Sequence, residues 1–322
     1  MNTPTTAVAR RMIELACRAP SVHNTQPWRW RIGSEDVIEL WADRDRQLSV
    51  ADPDGRNLTI SCGAALHHLT VAGRAMGVAT TVELLPSAVK GDLLARIRLG
   101  VGEPATDAAE TMEAIERRCT DRRRFTSWPV PETRLVHLAQ AGSGWGAYAM
   151  PIVDVTARFR AELLASRALT AQASDPRFAQ EQQMWTEHSR VDGVPLPNAA
   201  PASRVPTPER PNRFAPEHQD SGALLESSDA LMAICTALDD QRSWLETGQV
   251  LSALWLRATR DGLSIVPLSQ VIEVSETREA LHHDIFAGMA QPQILLRIGW
   301  QEIGRASLTP TPRRPLADVL LP

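Results

Sequence analysis

Two stretches of this 322-residue chain read as the same long helix. Residues 57–77 carry Gly63, Leu66, Leu69 and Gly77, and residues 242–262 carry Gly248, Leu251, Leu254 and Gly262 at the same spacing. In each, the closing glycine suits a left-handed C-cap. The first stretch is apolar nearly all round, through Leu58, Ile60, Cys62, Ala64, Ala65 and Val71, which places it in the interior. In the second, Leu251, Leu254, Trp255 and Ala258 form an i, i+3, i+4, i+7 stripe. A second echo pairs a helix over 7–19 (Val8, Met12, Leu15, Ala16) with one over 131–141 (Leu135, Leu138, Ala139). A strand follows each, over 28–32 and 145–153. Two copies of one helix–strand pattern predict a duplicated chain whose second half is the longer.

Composition narrows the class. Hydrophobic content of 43% and charged content of 22% are ordinary for a globular chain of one large domain or two smaller ones. A net charge of −4 argues against a broad nucleic-acid surface. Cys17, Cys62, Cys119 and Cys235 are far apart with no CxxC spacing, so no zinc or redox motif is expected and the thiols should be reduced. Residues 1–6 lack the apolar core of a signal peptide, and no run is long enough to span a bilayer. The expectation is a cytoplasmic protein without a membrane partner.

Chemistry concentrates in three places. Ala19-Pro20-Ser21-Val22-His23-Asn24-Thr25-Gln26-Pro27-Trp28 lies between a helix and a strand. Its prolines stop helix continuation, and Ser21, Asn24 and Gln26 offer hydrogen bonds at one spot, a seat for a polar heterocycle or a plain capped loop. Residues 117–124 hold Arg117, Arg118, Arg122, Arg123 and Arg124, five arginines in eight residues, suited to phosphate or forming a solvated basic loop. Residues 261–270, Asp-Gly-Leu-Ser-Ile-Val-Pro-Leu-Ser-Gln, connect the second long helix to a strand. Other signatures fail. Ser143 lies in A-G-S-G-W rather than G-x-S-x-G, and no Walker or H-E-x-x-H sequence occurs. The pairs His67-His68 and His282-His283 are adjacent, so neither points two ligands at one metal. Asp52-Pro53-Asp54-Gly55 reads as a turn.

The A-P-S-x-x-N-x-Q-P-W turn resembles the signature of the flavin-dependent nitroreductase superfamily. Asp43-Arg44-Asp45-Arg46, Asp52-Pro53-Asp54-Gly55-Arg56 and Ile60-Ser61-Cys62-Gly63-Ala64-Ala65-Leu66 resemble its Acg-like actinobacterial branch. The resemblance implies an α+β fold, a mixed, mainly antiparallel sheet packed by helices. It also implies that both subunits of an intertwined dimer lie in one chain as a pseudo-dimer, with halves at 1–105 and 106–322. The turn occurs only in the first half and the Arg-rich segment only in the second, so one FMN per chain is implied. By the family pattern, Arg118, Thr120 and Arg122 meet the phosphate. The register between Arg122 and Arg123 is open, because residues are inserted before Phe125. Arg314, in preference to Arg313, is the cation from the tail. Pro267, Leu268 and Ser269 meet the ring edge, and Pro20, Ser21, Asn24 and Gln26 meet the ring from the other half. The flavin itself carries the redox chemistry, so no catalytic side chain is expected.

After helices near 154–174 and 176–190, seven prolines fall in 22 residues from Pro195 to Pro216, which excludes regular structure there. Such a segment is a lid or a surface excursion; residues 176–225 are expected to cover the flavin. The leading function is NAD(P)H-dependent reduction of a nitro compound or quinone by a monomer. The rivals are a flavin-sequestering protein whose lid blocks turnover, and a regulatory protein without flavin.

Overall fold

Each half of the chain builds one four-stranded sheet by the same route. In the first, α1 (Thr6–Ala16) precedes β1 (Trp28–Ile32) and β2 (Val37–Ala42). Next come α2 (Arg56–Ala75), β3 (Val78–Leu84) and β4 (Leu93–Val101). In the second, α4 (Glu132–Ala141) precedes β5 (Tyr148–Ile152), α5 (Val155–Ala173), α6 (Pro176–Trp185) and β6 (Ala230–Thr236). Then follow α7 (Gln241–Arg260), β7 (Leu263–Leu268), α8 (Gln270–Glu273), α9 (Ser275–Ala280) and β8 (Gln291–Trp300). α3 (Ala108–Arg117) links the halves and α10 (Leu316–Val319) lies near the C-terminus. The computed structural model describes residues 6–33, 36–87, 89, 91–123, 125–186, 188–195, 229–301, 304, 308 and 310–322. Most of the proline-rich stretch, residues 196–228, lies outside the described residues.

The strand orders are β1-β2-β4-β3 and β5-β6-β8-β7, with every neighbouring pair antiparallel. This is the expected α+β class, and the two sheets repeat one topology. The repeat reaches into detail. Val78 opens β3 opposite Val101, and Leu263 opens β7 opposite Trp300. Just before each strand, Gly77 and Gly262 adopt φ of 75° and 74°, left-handed backbone that glycine reaches without a Cβ clash. The expected helices over 57–77 and 242–262 are α2 and α7, each ending two residues before its glycine.

α2 and α7 pack on one another between the sheets. Each long helix lends a residue to the other half. Leu245 of α7 is buried in the core of the first sheet, and Ile60 of α2 in the core of the second. The chain's last residues also cross over. Val319 is buried in the first core, and the Leu321 N–H donates to the Trp30 carbonyl at 2.7 Å. The outer face of the second sheet is covered by α5 and α8 over Leu231, Leu268 and Leu295. The outer face of the first carries the charged ladder Arg31, Glu39, Arg96 and Glu83. No described helix is long and apolar enough to cross a membrane.

Candidate functional site

Backbone strain marks the polar turn. His23, Asn24 and Gln26 all take positive φ, at 46°, 55° and 50°. Asparagine and histidine are found in that region more often than other side chains, but glutamine enters it at a cost of about 1 kcal/mol or more, so packing must hold it there. The holding contacts are visible. The Gln26 N–H donates to Ser21 Oγ at 3.0 Å, and the Val22 N–H donates to Ser61 Oγ at 3.1 Å, tying the turn to α2. Pro20 and Ser21 are half-buried at its start.

The turn gathers two distant segments. Asn24 Nδ2 donates to the Gly193 carbonyl at 2.9 Å and to the Pro312 carbonyl at 3.1 Å. Gln26 Nε2 donates to the Val191 carbonyl at 2.8 Å, and Gln26 Oε1 accepts the Arg314 N–H at 2.9 Å. The root of the long second-half insertion and the C-terminal arm therefore both dock on this strained turn. The docking is reinforced by charge. Arg46 pairs with buried Asp192, which also accepts from His188 at 2.8 Å, and Arg46 lies 5.3 Å over the Trp185 ring. Glu181 of α6, buried, accepts the N–H groups of Val50 and Ala51 at 2.9 and 2.8 Å.

Beside the turn, one buried and one half-buried guanidinium meet on one carbonyl. Arg118, at the end of α3, and Arg313, on the C-terminal arm, both donate to the Arg18 carbonyl, at 3.3 and 3.2 Å. Arg118 stacks on the Trp255 ring at 4.9 Å, and Arg313 also donates to Asn24 Oδ1 at 3.1 Å. Among the described residues neither pairs with a carboxylate. Three buried N–H groups have no acceptor among the described residues: Arg118 Nε and Nη1, and Arg313 Nε. Burial pulls Arg118 down to about 10. Burial and then the neighbouring Arg118 and Arg18 pull Arg313 to about 9. Both remain cationic at neutral pH. Two like charges with orphaned donors form a site short of an anion.

The other expected residues are placed as follows. Arg314, preferred over Arg313 from the sequence, is instead committed to a carboxylate. It donates to Asp43 Oδ2 at 3.2 Å and to the Asp318 carbonyl at 2.7 Å, latching the tail. Asp43, buried just after β2, is shared between Arg314 and Arg29, the latter at 3.0 Å. Thr120 is half-buried two residues beyond Arg118. The Arg122 carbonyl accepts from Arg297 at 3.3 Å, while Arg123 is held by Asp121 at 2.8 Å. Pro267 and Leu268 end β7 opposite Leu296 and Leu295, and the Ser269 carbonyl accepts the Ile272 N–H at 2.9 Å to open α8. The next residue, Gln270, carries no sequence signal of its own; its Nε2 is buried without an acceptor among the described residues. Arg18 and Trp255, which frame the cation pair, are not legible as site residues, because Arg18 offers only its backbone carbonyl and Trp255 reads as one member of the apolar stripe of α7. Among the described residues no cluster of metal-ligating side chains occurs.

Similarity to known proteins extends over nearly the whole chain. It is 36% identical over 329 residues to "Putative NAD(P)H nitroreductase Rv3131" of Mycobacterium tuberculosis, covering 99% of this chain and 93% of that protein. It is 32% identical over 326 residues to "Putative NAD(P)H nitroreductase acg" of the same species, covering 98% and 96%. No family model matches. Among solved structures, a nitroreductase with bound FMN from Bacteroides fragilis aligns with 63% of this chain and 94% of its own at a TM-score of 0.40 and 16% identity. On the strength of its mycobacterial relatives, this chain belongs to the Acg-like branch of the nitroreductase family.

Proposed function

We propose that the protein is an oxidoreductase of nitroreductase type that binds one FMN per chain and takes electrons from NAD(P)H. The observation that carries this is the pair Arg118 and Arg313, cationic, with three buried N–H donors that lack acceptors among the described residues. A dianionic phosphate fits that need, because guanidinium N–H groups bond phosphate oxygens in pairs. Arg118 and Arg313 would hold the phosphate, with Thr120 and Arg122 near it and Arg314 keeping the arm in place. Ser21, Asn24 and Gln26 would line the ring from one half, with Pro20 beside them and Pro267, Leu268 and Ser269 at its edge from the other. When bound, the flavin supplies the hydride chemistry, toward a nitro compound or a quinone. The two repeated sheets support reading the fold as a pseudo-dimer that needs no partner chain.

Sequestration of flavin is the second reading, and one observation favours it. The insertion's root is fastened to the polar turn at Asn24 and Gln26 and to Arg46 after β2, so a cover starting there would already be held down. Steady-state NADPH and NADH oxidation with a nitroaromatic or quinone acceptor separates the two. Turnover that depends on bound FMN supports the reductase. Bound FMN with no turnover for either nucleotide supports sequestration.

A further inference from the structure

An opening lies along the α2–α7 helix pair, and neither Arg118 nor Arg313 lines it. It is a cavity of about 530 Å³ between the C-terminal halves of α2 and α7, the start of β3, α3, and the loop carrying Trp145. On α7 it is lined by Ala253, Leu256, Arg257 and Arg260. At about 100° per residue these sit on a different face from Trp255, which lies under Arg118. No residue assigned above to flavin lines it.

Its walls combine three properties. Trp145, Val71 and Leu256 give an apolar, partly aromatic surface. His67 stands edge-on to Trp145, ring centres 5.0 Å apart, with its Nδ1 held at 2.7 Å by Ser252 Oγ. Arg74, Arg257 and Arg260 stand at the cavity, and among the described residues two carboxylates pair with them. Asp107 binds Arg260 at 2.7 Å and reaches Arg74 only at 3.8 Å, while Asp261 binds Arg257 at 2.9 Å. One positive charge is left over, and the long contact assigns it to Arg74.

The internal repeat explains why the space is open. His67 and Ser252 are 185 positions apart and hold equivalent places in α2 and α7. By the same offset Thr70 stands where α7 has Trp255. Arg118 is packed on that tryptophan, while at the equivalent place in α2 the smaller Thr70 lines the cavity. The cavity is thus the counterpart, in the repeat, of the cation cluster.

We propose that this cavity is a second binding site, for a small planar organic anion, with the ring against Trp145 and Leu256 and the acidic group at Arg74. A volume of about 530 Å³ suits a ligand of two fused rings. The site stands on its own geometry and does not depend on the flavin assignment.

Calorimetric titration of the purified full-length protein, carrying any flavin it retains, with 2-naphthoate and with the neutral isostere 2-naphthol tests this. Saturable one-to-one binding of naphthoate is expected, with naphthol about tenfold or more weaker. Thr70→Trp, which refills the void as the counterpart position does, should weaken naphthoate binding at least about tenfold. The surface change Arg74→Gln, which leaves the interior untouched, should remove the preference for naphthoate over naphthol. Naphthoate affinity unchanged in both variants, or no binding by wild type, overturns the proposal. Binding that alters the flavin spectrum and survives both substitutions places the probe elsewhere and overturns it equally.

Discussion

Gly63 and Gly248 face each other where α2 crosses α7, and neither position has room for a side chain. A β-carbon on Gly63 would stand 2.2 Å from the Leu245 carbonyl oxygen, and one on Gly248 would stand 2.0 Å from the Ile60 carbonyl oxygen. The obstacles are backbone atoms, which cannot swing aside. The same two glycines anchor the helix repeat in the sequence, so the repeat and the contact are one feature.

Gly248→Ala should therefore destabilise the protein, by about 2 kcal/mol or more, because the helices must separate. At an uncrowded position inside a helix the same change stabilises by up to about 1 kcal/mol. Urea unfolding of the variant gives the sign, and a stabilised Gly248→Ala would show that the helices do not touch there.

Arg313 and Arg314 are adjacent yet should behave as opposites. Arg314→Gln breaks the bond to Asp43 and should lower the melting temperature of the flavin-free protein. Arg313→Gln relieves repulsion with Arg118 and should leave that temperature unchanged or raised, while FMN retained through purification falls. Equal loss of flavin in both variants, without a difference in stability, would contradict this division.

Ser252 Oγ stands 2.7 Å from Nδ1 of both His67 and His68, inside the α2–α7 interface. Ser252→Ala would leave two buried imidazole nitrogens without that partner, at a cost of about 1–3 kcal/mol. Denaturant titration at neutral pH checks it.

The same histidines set an acid limit. Burial, and then nearby arginines, hold His67 down to about 3 and His68 well below its ordinary value. Both are neutral when folded but take up a proton when unfolded below about pH 6.5. The unfolded state then binds more protons, so stability is full above that pH and falls as pH drops toward 3. Asp52 opposes this. Burial raises it to about 7, so it favours the folded state more as pH falls through the same range. Two histidines outweigh one aspartate, and the net loss should be about 1.4 kcal/mol per pH unit near pH 5. Replacing His67 with Gln should flatten the slope of melting temperature against pH between 7 and 5.

Arg46 and Asp192 hold the root of the insertion. Asp192→Asn should weaken that clamp and speed tryptic cleavage at Arg190, while helix content by circular dichroism stays the same. Cleavage at the wild-type rate would mean the root is held by Asn24 and Gln26 alone.

Much of the scaffold was legible because period and punctuation are local. The alternation of Trp28–Ile32 and the stripe of Leu251, Leu254, Trp255 and Ala258 locate their elements to within about two residues. Strand 145–153 was read too long because Gly146, at φ 86°, turns the chain before Tyr148. Partner choice was not legible. Whether Arg313 or Arg314 stays unpaired depends on Asp43, some 270 residues away and brought near only by the arm's crossover. Neither Arg18, which contributes only its carbonyl, nor Gln270, whose amide is orphaned by burial, differs in sequence from a residue of no consequence.

The most direct test of the account is the visible spectrum of the purified protein, incubated with FMN, as NADPH and then NADH are added without oxygen. The account predicts flavin bands at one FMN per chain that bleach on reduction. Absence of flavin bands even after incubation with FMN would contradict it, and would leave the Arg118–Arg313 pair without its anion.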